Sequence, residues 1–86
     1  MPHVVMYCSD ACPFCSNAEK LLTKKGVAFE KKNVDEDDAL WDEMEEKTGR
    51  DTVPQIFING KHIGGFDDLS ELDMMDELDE LLAQEG

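Results

Sequence analysis

The sequence predicts an α/β fold: one four-stranded mixed sheet with helices on both faces. Three observations carry this. Short β-rich runs alternate with segments of helical periodicity in the order β-α-β-α-β-β-α. The first three of these form a β-α-β unit, whose right-handed crossover makes its two strands parallel. An Asn59-Gly60 pair, a strong two-residue hairpin signal, joins the last two strands and makes them antiparallel. Parallel and antiparallel pairs in so short a chain belong to one sheet, and the intervening helices cover it.

Residues 3–8 (HVVMYC) are a short β-rich run and read as a buried strand. A helix follows. Pro13 suits its first position, and Phe14, Ala18, Leu21 and Leu22 form one apolar face. Gly26 ends it just after Lys24 and Lys25. Residues 27–34 (VAFEKKNV) alternate apolar and polar, as a strand does. In DDALWDEMEEKTG, Asp37 or Asp38 can cap a second helix and Gly49 closes it. Leu40 and Met44, one turn apart, face the core, with Trp41 on the shoulder. PQIFI (54–58) is a third strand, and KHIGG returns as the fourth. From Asp67 onward Leu69, Leu72, Met75, Leu78, Leu81 and Leu82 recur at helical spacing. The pattern fits one helix or two broken between Asp73 and Asp76. No repeat or linker divides the chain, so residues 1–86 read as a single domain.

Composition narrows the function. The net charge is −13 on 86 residues, and no lysine or arginine follows Lys61. Such a surface repels nucleic acid and anionic lipid. It reads as a solvated acidic face, or as the surface of a protein from a high-salt interior. No apolar run approaches the roughly 18–20 residues of a membrane span, and the start lacks the charged and apolar regions of a signal peptide. The expectation is a cytoplasmic monomer in a compartment where thiols stay reduced.

All three cysteines fall within YCSDACPFCSNA. An odd count in a reducing compartment argues against a disulfide framework. A closed zinc site wants four ligands, and Cys8, Cys12 and Cys15 supply three sulfurs. His3 and His62, the only histidines, are ordinary surface residues on this reading. A pair of buried structural cysteines and an iron–sulfur site shared between two chains stay open. Redox chemistry suits the local pattern better. Cys12 lies at a helix N-terminus, where unpaired N–H groups and the dipole favour an anion, and a thiolate is that anion. Pro13 fixes the turn without adding an N–H. Cys15, one turn in, is expected to be less exposed and less ionised. Cys12 would attack a disulfide, and Cys15 would resolve the mixed disulfide.

Three separated motifs together resemble the glutaredoxin family, most closely its small bacterial dithiol members. CPFC (12–15) is similar to the family's CPYC, with Pro13 and Phe14 supporting the helix start. TVPQIFING (52–60) resembles its TVP segment, and GGFDDL (64–69) its GG-containing segment. The resemblance covers essentially the whole chain and implies a thioredoxin-like fold and a glutathione-dependent oxidoreductase with no permanently bound cofactor. Its partners would be glutathione and disulfide-bearing or glutathionylated proteins. It implies a cis Val53–Pro54 bond beside Thr52, with the Val53 backbone pairing with the cysteinyl part of glutathione. Gly64 and Gly65 would allow close approach, the N–H groups of Phe66 and Asp67 would hold the γ-glutamyl carboxylate, and Asp68 would pair with the α-ammonium.

Two departures from the family pattern stand out. Ser9 occupies the place where the family usually has a lysine three residues before the nucleophile. Trp41 and Asp42 stand where the second helix often has a basic residue or glutamine. Two positive contacts are missing, and Asp10 adds a negative charge. Weaker glutathione binding and a less activated Cys12 are expected, partly relieved by salt. Cys8 is a third thiol, either a small buried hydrophobe or a site of secondary oxidation. The rival readings are a redoxin recharged by a flavoprotein reductase and a dimeric iron–sulfur or metal-binding module.

Overall fold

The computed structural model describes residues 3–10 and 12–83; residues 1, 2, 11 and 84–86 of the expected domain lie outside it. The elements are β1 (Val4–Cys8), α1 (Pro13–Lys24), β2 (Glu30–Asn33), α2 (Asp38–Thr48), β3 (Gln55–Ile58), β4 (Lys61–Gly64), α3 (Phe66–Met74) and α4 (Glu77–Ala83). Strand order across the sheet is β2-β1-β3-β4. β1 runs parallel to β2 and antiparallel to β3, and β3 is antiparallel to β4. The expected mixed topology is therefore present.

Alternation along the central strands sorts the core into two layers, because successive side chains on a strand point to opposite faces. Val4, Met6 and Cys8 of β1 and Ile56 and Ile58 of β3 pack with Ala18 and Leu22 of α1, Leu69 of α3, and Leu78 and Leu82 of α4. Tyr7 packs on the other face with Val34 and Met44, flanked by Val5, Leu40, Trp41 and Phe57. That second layer is covered by α2 alone.

The local signals explain the ends of the elements. Asp37 caps α2, its carboxylate accepting from the Ala39 N–H at 2.9 Å, and Gly49 ends it in the left-handed region at φ 69°. Met44 is the only side chain of α2 that is fully buried. Glu43, one residue before it, accepts from the Tyr7 hydroxyl and from Lys32 Nζ at 3.1 Å, which fastens α2 to β1 and β2. Asn59 (φ 53°) and Gly60 (φ 82°) both adopt the left-handed conformations that a tight two-residue hairpin requires.

Two expectations need correction, and one open choice is decided. Phe14 does not join the buried face of α1: it is 54% exposed and stacks on Phe66 at the groove, while its neighbour Cys15 takes the core-facing place with Ala18 and Leu22. The C-terminal segment is two helices. This is the second of the two forms its pattern fits: Asp76 takes φ 60° between them, and Met75 at the break is 57% exposed. The paired part of the second strand is shorter than its alternating pattern, since Val27, Ala28 and Phe29 precede the ladder. Lys25 joins the two C-terminal helices to the end of α1 by reaching Asp73 and Asp79, the latter at 3.0 Å.

Because Met44 is the one fully buried side chain of α2, Met44→Ala is expected to cost about 2–5 kcal/mol through the cavity it leaves. Urea denaturation of the two proteins gives this directly; a change under about 1 kcal/mol would mean that α2 is held chiefly by Glu43 and its partners.

Candidate active site

The loop after β1 delivers Cys12 to the start of α1. Cys12 is the N-cap residue, extended at φ −99° and ψ 113°, and Pro13 occupies the first turn. Its N–H donates to the Ser9 carbonyl at 3.2 Å, which closes the loop. Its side chain is half-buried, and Sγ lies 3.5 Å from the Val53 carbonyl oxygen. Cys15 lies one turn further and points into the core, 2% exposed. Burial pushes its thiol up to about 12; a hydrogen bond with Cys12 adds to this, and the Ser9 N–H, 3.5 Å from Sγ, opposes it. Cys8 is wholly buried, and burial raises its thiol to about 11. All three thiols are free. One is open to a reactant and two are kept protonated in the core, so Cys8 is a packing residue in this state.

Beside Cys12 runs a groove of about 210 Å³. Thr52, Val53 and Pro54 line one part, and Gly65, Phe66, Asp67 and Asp68 another. Phe14 lines it too, stacked on Phe66 with ring centroids 6.4 Å apart. The Val53–Pro54 bond is cis, as expected from the TVP segment. Gly64 (φ 121°) turns the chain from β4 into α3. A Cβ there would stand 2.2 Å from Asp68 Oδ2, so only glycine fits. A Cβ on Gly65 would come within 3.3 Å of the Pro54 carbonyl, which keeps the start of α3 close to the Pro54 loop.

The sequence motifs thus converge on one cleft, although they are separated along the chain. Cys12 meets that cleft through Val53. Pro13 is exposed at the helix start and does not line it. Asp68 has more partners than the sequence suggests. Its Oδ2 accepts from the Gly65 N–H at 3.1 Å, a one-sided capping box because Gly65 has no side chain to complete it, and Arg50 Nη1 lies 3.4 Å away.

Arg50 is the residue that sequence reasoning missed. It is the chain's single arginine, stands two positions before Thr52, and puts a guanidinium on the groove. The two basic contacts expected to be missing stay missing, but among the described residues the groove carries this one cation. Ser9 and Trp41 do not compensate. Ser9 Oγ donates to Asp35, and Trp41 packs in the layer under α2, its Nε1 donating to Glu45.

The family model for glutaredoxin matches residues 4–63. The chain belongs to the glutaredoxin family. Glutaredoxin 3 of Escherichia coli is 48% identical over 82 residues, covering 95% of this chain and 99% of that protein. Among solved structures, wheat glutaredoxin superposes with a TM-score of 0.89 at 40% identity, over 96% of this chain and 81% of its own. A buckwheat glutaredoxin–glutathione complex superposes at 0.86 and 33% identity, over 92% and 74%. The fold is thioredoxin-like, and this glutaredoxin is a thiol–disulfide oxidoreductase.

Exposure separates the thiols experimentally. Brief treatment of the native reduced protein with iodoacetamide near neutral pH is expected to label Cys12 and spare Cys8 and Cys15, which react once the chain is unfolded. Peptide mapping reads the result; comparable labelling of Cys15 in the native state would show that the first turn of α1 opens readily.

Proposed function

We propose that this chain is a glutathione-dependent oxidoreductase of protein disulfides and glutathione mixed disulfides, acting as a cytoplasmic monomer. The observation that carries the reading is the juxtaposition of Cys12 Sγ with the Val53 carbonyl, at a groove bearing a cation and a helix N-terminus. Glutathione is a net anion with two carboxylates and one ammonium. Phe66 and Asp67 offer backbone N–H groups at the start of α3 for one carboxylate, and Arg50 adds a guanidinium to the same groove. Asp68 faces the ammonium, and the Val53 backbone pairs with the cysteinyl unit as an added strand. Arg50 supports glutathione over a flavoprotein reductase as the electron source, since it supplies a positive contact that the sequence motifs lack.

The chemistry needs two kinds of exchange. In the first, the Cys12 thiolate attacks the glutathionyl sulfur of a mixed disulfide. The target leaves as a thiolate and takes a proton from solvent. A glutathione thiolate then attacks the Cys12 mixed disulfide, releasing Cys12 and oxidised glutathione. Only Cys12 is required. In the second, Cys12 attacks a protein disulfide and forms a mixed disulfide with one of its sulfurs. Cys15 loses its proton and attacks Cys12, which frees the protein dithiol and leaves a Cys12–Cys15 disulfide. A buried Cys15 with a raised thiol is a slow attacker, so an arriving glutathione has time to compete.

Cys15→Ser is therefore expected to retain glutathione-dependent cleavage of a small mixed disulfide and to lose reduction of a protein disulfide. Loss of both activities would show that Cys15 is needed for the first exchange as well. Glutathione-dependent turnover, followed at low and at molar salt, tests the reading as a whole. With a charge of −13 repelling an anionic substrate, turnover should rise as salt shortens the screening length from about 10 Å to about 3 Å. No turnover at either salt, with all thiols reduced, would turn the assignment to a different electron donor.

A further inference from the structure

Gln55 is the one buried amide or charged side chain among the described residues, 1% exposed at the start of β3. Burying an amide is costly unless its hydrogen bonds are made. Its Nε2 donates to the Thr52 carbonyl at 3.0 Å and approaches the Thr52 hydroxyl at 3.2 Å. That uses both amide hydrogens, and the opposite amide orientation would set oxygen against the Thr52 carbonyl oxygen. Oε1 then faces His62 Nε2 at 2.8 Å. An amide oxygen only accepts, so His62 must hold its proton on Nε2.

His62 is itself held. It stands on β4 opposite Phe57, with ring centroids 5.1 Å apart, and burial keeps it toward its neutral form, helped by Arg50 and opposed by Asp68. A polar chain therefore runs from the β4 ring through a buried amide to Thr52. Thr52 is followed by Val53, whose carbonyl receives the Cys12 thiol. Nothing in the two exchange steps uses Gln55 or His62.

We propose that His62 and Gln55 are positioning residues that hold the backbone of Thr52 and Val53 at the geometry the groove needs. His62 fixes the orientation of the Gln55 amide, and the amide fixes the Thr52 carbonyl and hydroxyl. The effect falls on how substrate is seated, since neither residue touches Cys12.

The test compares His62→Leu, which removes the donor, with His62→Gln, whose amide can place a donor near the former Nε2. This part rests on glutathione being the substrate. For a glutathione mixed disulfide, His62→Leu should raise KM about three- to tenfold, the equivalent of one lost hydrogen bond, with kcat within about twofold. His62→Gln should return KM to within about twofold of the parent. An unchanged KM in His62→Leu, or a His62→Gln variant no better than His62→Leu, overturns the proposal. A second measurement needs neither variant nor substrate. Imidazole nitrogen shifts of the parent protein at pH 7.5 should report the Nε2–H tautomer, and an Nδ1–H tautomer overturns the proposal even if the variants fail to fold. A parent with no glutathione turnover but the Nε2–H tautomer would sink the substrate reading and leave the polar chain standing.

Discussion

The site depends on β1 being enclosed on every side. It is bonded to β2 along one edge and β3 along the other, and four of its five residues are buried. A strand so held has a fixed end, and that end is where the loop to Cys12 begins. Val34 extends the constraint, its N–H donating to the Cys8 carbonyl at 2.9 Å. Ser9 then directs one N–H at the Cys15 sulfur and its carbonyl at the Cys12 N–H. The position of the exposed thiol is set by strand pairing first and by the helix second.

Electrostatics work against this arrangement globally and with it locally. The chain carries a large excess of carboxylates, and most lie on α2, α3, α4 and their connections. Long-range repulsion of an anionic ligand follows. Within the groove the balance differs, because Arg50 and the first N–H groups of α3 act at contact range, where screening matters less. For the anionic substrate proposed above, a hostile net charge is tolerable when the few favourable groups lie on the groove itself.

Much of this was legible in the sequence because the relevant signals are local. Pro13, Asp37, Gly49 and the Asn59-Gly60 pair each dictate a backbone geometry by themselves, and all four sit where those geometries are needed. The motifs that gather at the groove were legible through resemblance, since nothing in their spacing says that they meet. Phe14 was misread because helical periodicity sets it beside Ala18, whereas its ring turns to the groove against Phe66 and Cys15 takes the core-facing place. Arg50 escaped notice because a lone basic residue next to a helix end carries no pattern, and its place on the groove follows from the turn between Gly49 and Thr52. The Gln55–His62 contact joins two strands across a hairpin and depends on which way an amide faces, a choice only the packed environment makes.

The outer strands have a bearing on how the molecule behaves among many copies of itself. β2 and β4 form the two margins of the sheet, each only four residues long. Glu30, Lys31 and Lys32 occupy one margin, and Lys61 opens the other. Open backbone hydrogen-bonding groups on a margin invite another chain to add a strand, and short, charged margins discourage it. Short and charged, the margins keep neighbouring molecules from stacking into a continuous sheet.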